Sequence, residues 1–103
     1  MWLDFDPQAG HEQRGRRPGV VLSPRAYNAK VGLALVCPIT SQRKGYPFEV
    51  AIPGRLAVSG VVLSDQVRNL DWQIRNAELI CALPGETVAE ILAKVALLLS
   101  KDV

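Results

Sequence analysis

The sequence predicts a small, mainly β protein, a barrel or sandwich with one helix packed on it, and three observations carry that reading. Apolar runs are short and separated by turn residues. Near the C-terminus the hydrophobic period changes from strand-like to helix-like. No alternation of strand and helix patterns marks a parallel sheet. The chain has 103 residues, 49% of them hydrophobic, enough for one modest core. A single domain, residues 1–103, is therefore expected, and burial of further surface in a homodimer would add stability.

The elements follow in order. Residues 2–5 alternate weakly, residues 19–22 and 32–36 are apolar runs, residues 48–52 are β-favouring, and residues 61–63 and 79–82 are two further short strands. Asp6-Pro7, Ser23-Pro24, Gly45-Tyr46-Pro47, Pro53-Gly54 and Pro84-Gly85 supply the turns between them. From Glu86 onward Val88, Ile91, Leu92, Val95, Leu98 and Leu99 recur at helical spacing, with Glu86, Glu90 and Lys94 on the opposite, wet face. An acidic start and Lys101 near the end suit the helix dipole.

Charge and cysteine usage narrow the classes. The net charge of +2 permits a polyanionic partner, and its distribution is more telling. Arg14, Arg16, Arg17 and Arg25 crowd the first quarter, while Arg43 and Lys44 sit in a second loop. Cys37 and Cys81 each lie in an apolar run and read as reduced, buried hydrophobes. With one histidine and no metal-ligand spacing, neither a protein-built metal site nor a cofactor is expected. A secretory leader and a membrane-length apolar run are both missing from the pattern, so a cytoplasmic protein without membrane contact is expected.

The densest chemistry lies in Gly10-His11-Glu12-Gln13-Arg14-Gly15-Arg16-Arg17-Pro18, which joins the histidine, a carboxylate and three arginines. A cationic, glycine-bounded loop with an adjacent titratable pair suits a phosphodiester that must be held while a proton moves. Two further blocks are Pro38-Ile39-Thr40-Ser41-Gln42-Arg43-Lys44-Gly45-Tyr46-Pro47-Phe48-Glu49-Val50 and Gly60-Val61-Val62-Leu63-Ser64-Asp65-Gln66-Val67. In order and spacing, the three blocks closely resemble the MazF/PemK family of toxin endoribonucleases.

That resemblance implies an SH3-like barrel with a C-terminal helix, a homodimer, and metal-independent, sequence-specific cleavage of single-stranded mRNA. It implies 2′,3′-cyclic phosphate and 5′-hydroxyl ends. It also implies a cognate antitoxin with an acidic, flexible C-terminal tail. The family's essential arginine falls on Arg17 and its catalytic threonine on Thr40. A guanidinium offers forked donors to two phosphate oxygens, and the hydroxyl offers one more. His11 and Glu12 are both able to take the 2′-OH proton, and the choice between them stays open. Arg14, Arg16, Gln42, Lys44, Tyr46, Asp65 and Gln66 are the candidate RNA contacts. Tyr46 is the best stacking aromatic because its neighbours place it in a loop, whereas Trp2, Phe5, Phe48 and Trp72 also read as core. Where one branch of the family has a site arginine, this chain has Leu63. Family members carry residues before the tryptophan that matches Trp2, so the first strand here is expected to offer fewer ladder partners. The alternative function is a non-catalytic SH3-like barrel toxin that binds a protein target such as gyrase. Such a binder has no use for a proton-transfer pair beside a phosphate clamp.

Overall fold

A computed structural model describes residues 2–4, 16–73 and 77–99. In chain order the elements are β1 (Trp2–Asp4), β2 (Arg16–Val21), α1 (Arg25–Val31), β3 (Leu33–Thr40), β4 (Glu49–Ala51), β5 (Val61–Leu63), a 3-10 turn (Ser64–Gln66), β6 (Arg68–Asp71) and α2 (Gly85–Leu97). The strands form one antiparallel, six-stranded sheet in the order β1-β2-β3-β5-β4, with β6 also on β3. The expected class, mainly β with a C-terminal helix, is the one observed. The sheet is not closed into a full barrel among the described residues. No helix among them is long and apolar enough to cross a membrane.

β3 organises the molecule because strands flank it on both edges. Along one edge it pairs β2; along the other, β6 takes its first half and β5 its second. Between the pairs Ile39↔Val62 and Val36↔Arg68, β3 advances three residues while its partner advances six. The surplus is the 3-10 turn. This interruption explains how a central strand tolerates Pro38. Leu35 accepts the Leu22 N–H at 2.8 Å, so its polar groups face β2. Three residues on, Pro38 turns its nitrogen to the opposite edge, where the ladder is broken.

The same strand buries both of its faces, one after the other. Ala34 and Val36 pack with Leu70 in a small cluster that includes Trp72 and Val21. Cys37 and Ile39 instead join the main core of Val20, Val50, Ile52, Val58, Val62 and Ile91. Ile91 enters from α2, which lies against β4 and the 3-10 turn. Burial of side chains of this kind contributes about 1.5–3 kcal/mol each before ordering costs. Both cysteines are free, Cys37 buried and Cys81 half-buried. Burial first, and then the Asp65 charge, push the Cys37 thiol up to about 11, so it stays neutral through the physiological range.

Several expectations are corrected. Residues 79–82 form no strand: Ile80 and Cys81 cover the main core as extended chain without a ladder. α1 stands where only a turn at Ser23-Pro24 was expected. It buries no residue and is held by polar groups instead. Ser23 Oγ donates to Asn28 Oδ1 (2.5 Å) and accepts the Leu35 N–H (2.9 Å), and Trp72 Nε1 donates to the Asn28 carbonyl (3.1 Å). Gly32, read as strand, ends this helix in the left-handed region at φ 79°. β6 was also missed. In α2, Thr87 and Ile91 are the buried side chains, whereas Leu92 and Leu98 of the expected apolar stripe are exposed.

Candidate active site

β2 and β3 bring the two strongest candidates together. Their register runs Val21↔Val36, Val20↔Cys37, Gly19↔Pro38, and Arg17 and Thr40 each lie two residues beyond the last of these pairs, where β2 has turned to β1 and β3 to β5. The sequence places Arg17 in a cationic loop. Arg17 instead lies on β2, beside Leu3 of β1, and Thr40 is the last residue of β3. They line one open groove of about 490 Å³ with Pro18, Ile39, Ser41, Gln42 and Ser59 among its other walls. Strand mounting restrains each side chain more tightly than a loop would.

Thr40 is fixed by its neighbours. Its Oγ1 accepts the Gln42 N–H at 3.1 Å, which leaves the hydroxyl proton available to an anion in the groove. Behind it lies Gly60 at φ 116°, where a Cβ would come within 2.2 Å of the Thr40 carbonyl oxygen. Only glycine fits that approach. Val61, the next residue, then pairs with Thr40 in the sheet.

A second cleft of about 180 Å³ shares Thr40 and Gln42 with the first. Lys44, Tyr46, Asp65 and Gln66 line it, so five of the candidate RNA contacts gather around one end of β3. Tyr46 is 60% exposed, as a stacking residue must be. Trp72 belongs to the small core, and Phe48 is half-buried. Leu63 lines this cleft where an arginine had been considered. His11, Glu12 and Arg14 lie outside the described residues, as does the side chain of Arg16, whose backbone pairs with Asp4.

Three residues of the site region had been given no role. Glu49 lines the second cleft and accepts the Lys44 and Gly45 N–H groups with its carboxylate. Gly60 seats Thr40. Lys94, assigned to the wet face of the helix, reaches from α2 to the carbonyls of Pro47 and Glu49. Glu49 and Gly60 sit inside the motif blocks, which was the available signal. Lys94 carried none.

Fold and groove together define a small β protein with an open polar cleft that presents a guanidinium, an ammonium and several hydroxyls. The sequence model of the family described as PemK-like, MazF-like toxin of type II toxin-antitoxin system matches residues 1–99. The endoribonuclease toxin MazF of Escherichia coli (strain K12) is 46% identical over 96% of this chain and 88% of its own length. Two solved structures from Deinococcus radiodurans are also similar. MazF superposes with a TM-score of 0.86 at 57% identity, covering 95% of this chain and 89% of its own. A MazE-MazF structure gives 0.85 at 49% identity, covering 96% and 88%. The chain belongs to the PemK-like, MazF-like toxin family of type II toxin-antitoxin systems.

Proposed function

We propose that this protein is a toxin endoribonuclease that cuts single-stranded mRNA at a specific sequence without a metal ion. The observation that carries the reading is the convergence of the Arg17 guanidinium and the Thr40 hydroxyl on one groove, continuous with the cleft of Gln42, Lys44, Tyr46, Asp65 and Gln66. In this reading His11 or Glu12 takes the proton from the ribose 2′-OH, and the freed oxygen attacks the adjacent phosphorus. Arg17 and Thr40 hold the charge that builds on the phosphoryl oxygens, and the 5′-oxygen leaves with a proton taken from water, to which the base later returns its own. The products are a 2′,3′-cyclic phosphate and a 5′-hydroxyl.

Tyr46 stacks a base and Lys44 meets the backbone, with Arg14 and Arg16 adding diffuse attraction. The enzyme acts as a single domain, residues 1–103, in a cytoplasmic homodimer. Leu79, 80% exposed, and the exposed leucines of α2 offer the apolar surface that a second copy would cover. Its partner is a cognate antitoxin, a reading that the MazE-MazF structures of the relatives support, and the antitoxin's acidic, flexible tail would lie in the same basic groove. Primer extension on RNA treated with the purified protein tests the reading. Discrete stops at one recurring sequence are expected, and intact RNA after incubation with the folded protein would contradict it.

A further inference from the structure

The β3–β4 loop, which carries Lys44 and Tyr46, is held at both legs by groups that the cleavage step does not use. On its outer leg, Glu49 folds its carboxylate back into the loop: Oε1 accepts the Gly45 N–H at 3.0 Å and Oε2 the Lys44 N–H at 3.1 Å. Gly45 is left-handed, at φ 80°, which turns two successive N–H groups toward one point and makes an anion-binding nest. The inner leg has its carbonyls taken three in a row. Lys94 Nζ donates to Pro47 and, at 3.2 Å, to Glu49, while the Ser64 N–H donates to Phe48 at 3.1 Å. Lys94 belongs to α2, 45 residues from Glu49, so the helix is tied directly to the loop.

A carboxylate in a cleft meant for a polyanion is electrostatically adverse. Its retention here is accounted for by the loop geometry it imposes, because its oxygens are spent on backbone donors and not presented to a ligand. We propose that Glu49 and Lys94 are positioning residues that fix the loop so that Tyr46 and Lys44 meet the RNA in one register. They set how well a matched sequence is told from an altered one. The inference rests on the RNA-cleavage reading above.

The test measures kcat and KM on two short RNAs that share a cut site and differ in one adjacent base, with the parent, Glu49→Ala, Glu49→Gln and Lys94→Met. Glu49→Ala and Lys94→Met should raise KM for the matched RNA about tenfold, as loss of one or two hydrogen bonds implies, and should shrink the preference for it. Glu49→Gln, which keeps one acceptor oxygen, should fall between parent and alanine. The kcat of Lys94→Met should stay within about threefold of the parent, since that residue touches neither reacting atoms nor groove. Unchanged KM and preference in a cleaving series would overturn the inference alone. So would tighter RNA binding by Glu49→Ala, which would reduce the carboxylate to a source of repulsion. A fall in kcat that tracks melting temperature would mark a merely structural role and overturn it equally. Failure of the parent to cleave either RNA would remove the enzyme reading and this inference together.

Discussion

Thr40 shows how much of the site depends on single atoms. Its hydroxyl accepts from the Gln42 N–H, so it is oriented before any substrate arrives, and its proton is left to donate. Thr40→Val keeps the shape and removes both functions. Single-turnover cleavage should slow about tenfold, the scale of one lost neutral hydrogen bond in the transition state with some disorder of the 40–42 turn. A valine variant as fast as the parent would show that the hydroxyl plays no part. The base is tested in the same assay. If His11 takes the proton, the rate should rise through an ionisation near neutral pH and His11→Ala should flatten the profile. If Glu12 takes it, Glu12→Ala should be the damaging change and His11→Ala should leave the pH profile of the parent unaltered. The pH-rate series on both variants decides between them. Arg17, Thr40 and the cleft residues were legible because they stand in recognisable blocks with chemistry matched to a phosphodiester. Glu49, Gly60 and Lys94 were not, since their roles exist only once distant segments meet.

Among the elements, Gly60 is where packing and chemistry meet. The end of β3 and the start of β5 can pair only if nothing projects from residue 60, because the Thr40 carbonyl lies against its Cα. Gly60→Ala forces either a shift of β5 or a displaced Thr40. Thermal melting should show a loss of about 1–3 kcal/mol from backbone strain and steric conflict. Cleavage should fall further than that loss explains, because Thr40 moves with the strand; an alanine variant that melts and cleaves like the parent would refute the contact. Elsewhere apolarity proved a guide to burial more than to ladder pairing. Residues 79–82 looked like a strand and do cover the core, yet they pair with no neighbour over that run. α1 was invisible for the converse reason: seven residues with none buried have no hydrophobic period to read. β6 exposes two of its four residues and buries only Leu70, too little for an alternating signal. The longer reach of β2, back to Arg16, lay in a run of charge that reads as loop until the register with β1 is known.

At the scale of the molecule, one face gathers the groove, the second cleft and the β3–β4 loop around the end of β3. A polyanionic tail and an RNA strand would need the same cations. Charge reversal at Arg14, Arg16 and Lys44 should therefore weaken both ligands, with a loss that shrinks as salt rises. A labelled acidic antitoxin tail should be displaced by an uncleavable RNA; simultaneous binding of both would place the inhibitory contact elsewhere. The proposed mechanism turns on one clamp: Arg17 holds the scissile phosphate beside Thr40 in the groove they share. Its most direct test is single-turnover cleavage of one RNA by the parent and by Arg17→Lys, with folding checked by circular dichroism. Lysine keeps the charge and loses the forked donor geometry, so the rate should drop about a hundredfold or more in a folded protein. Cleavage at the parental rate by the folded lysine variant would contradict the claim.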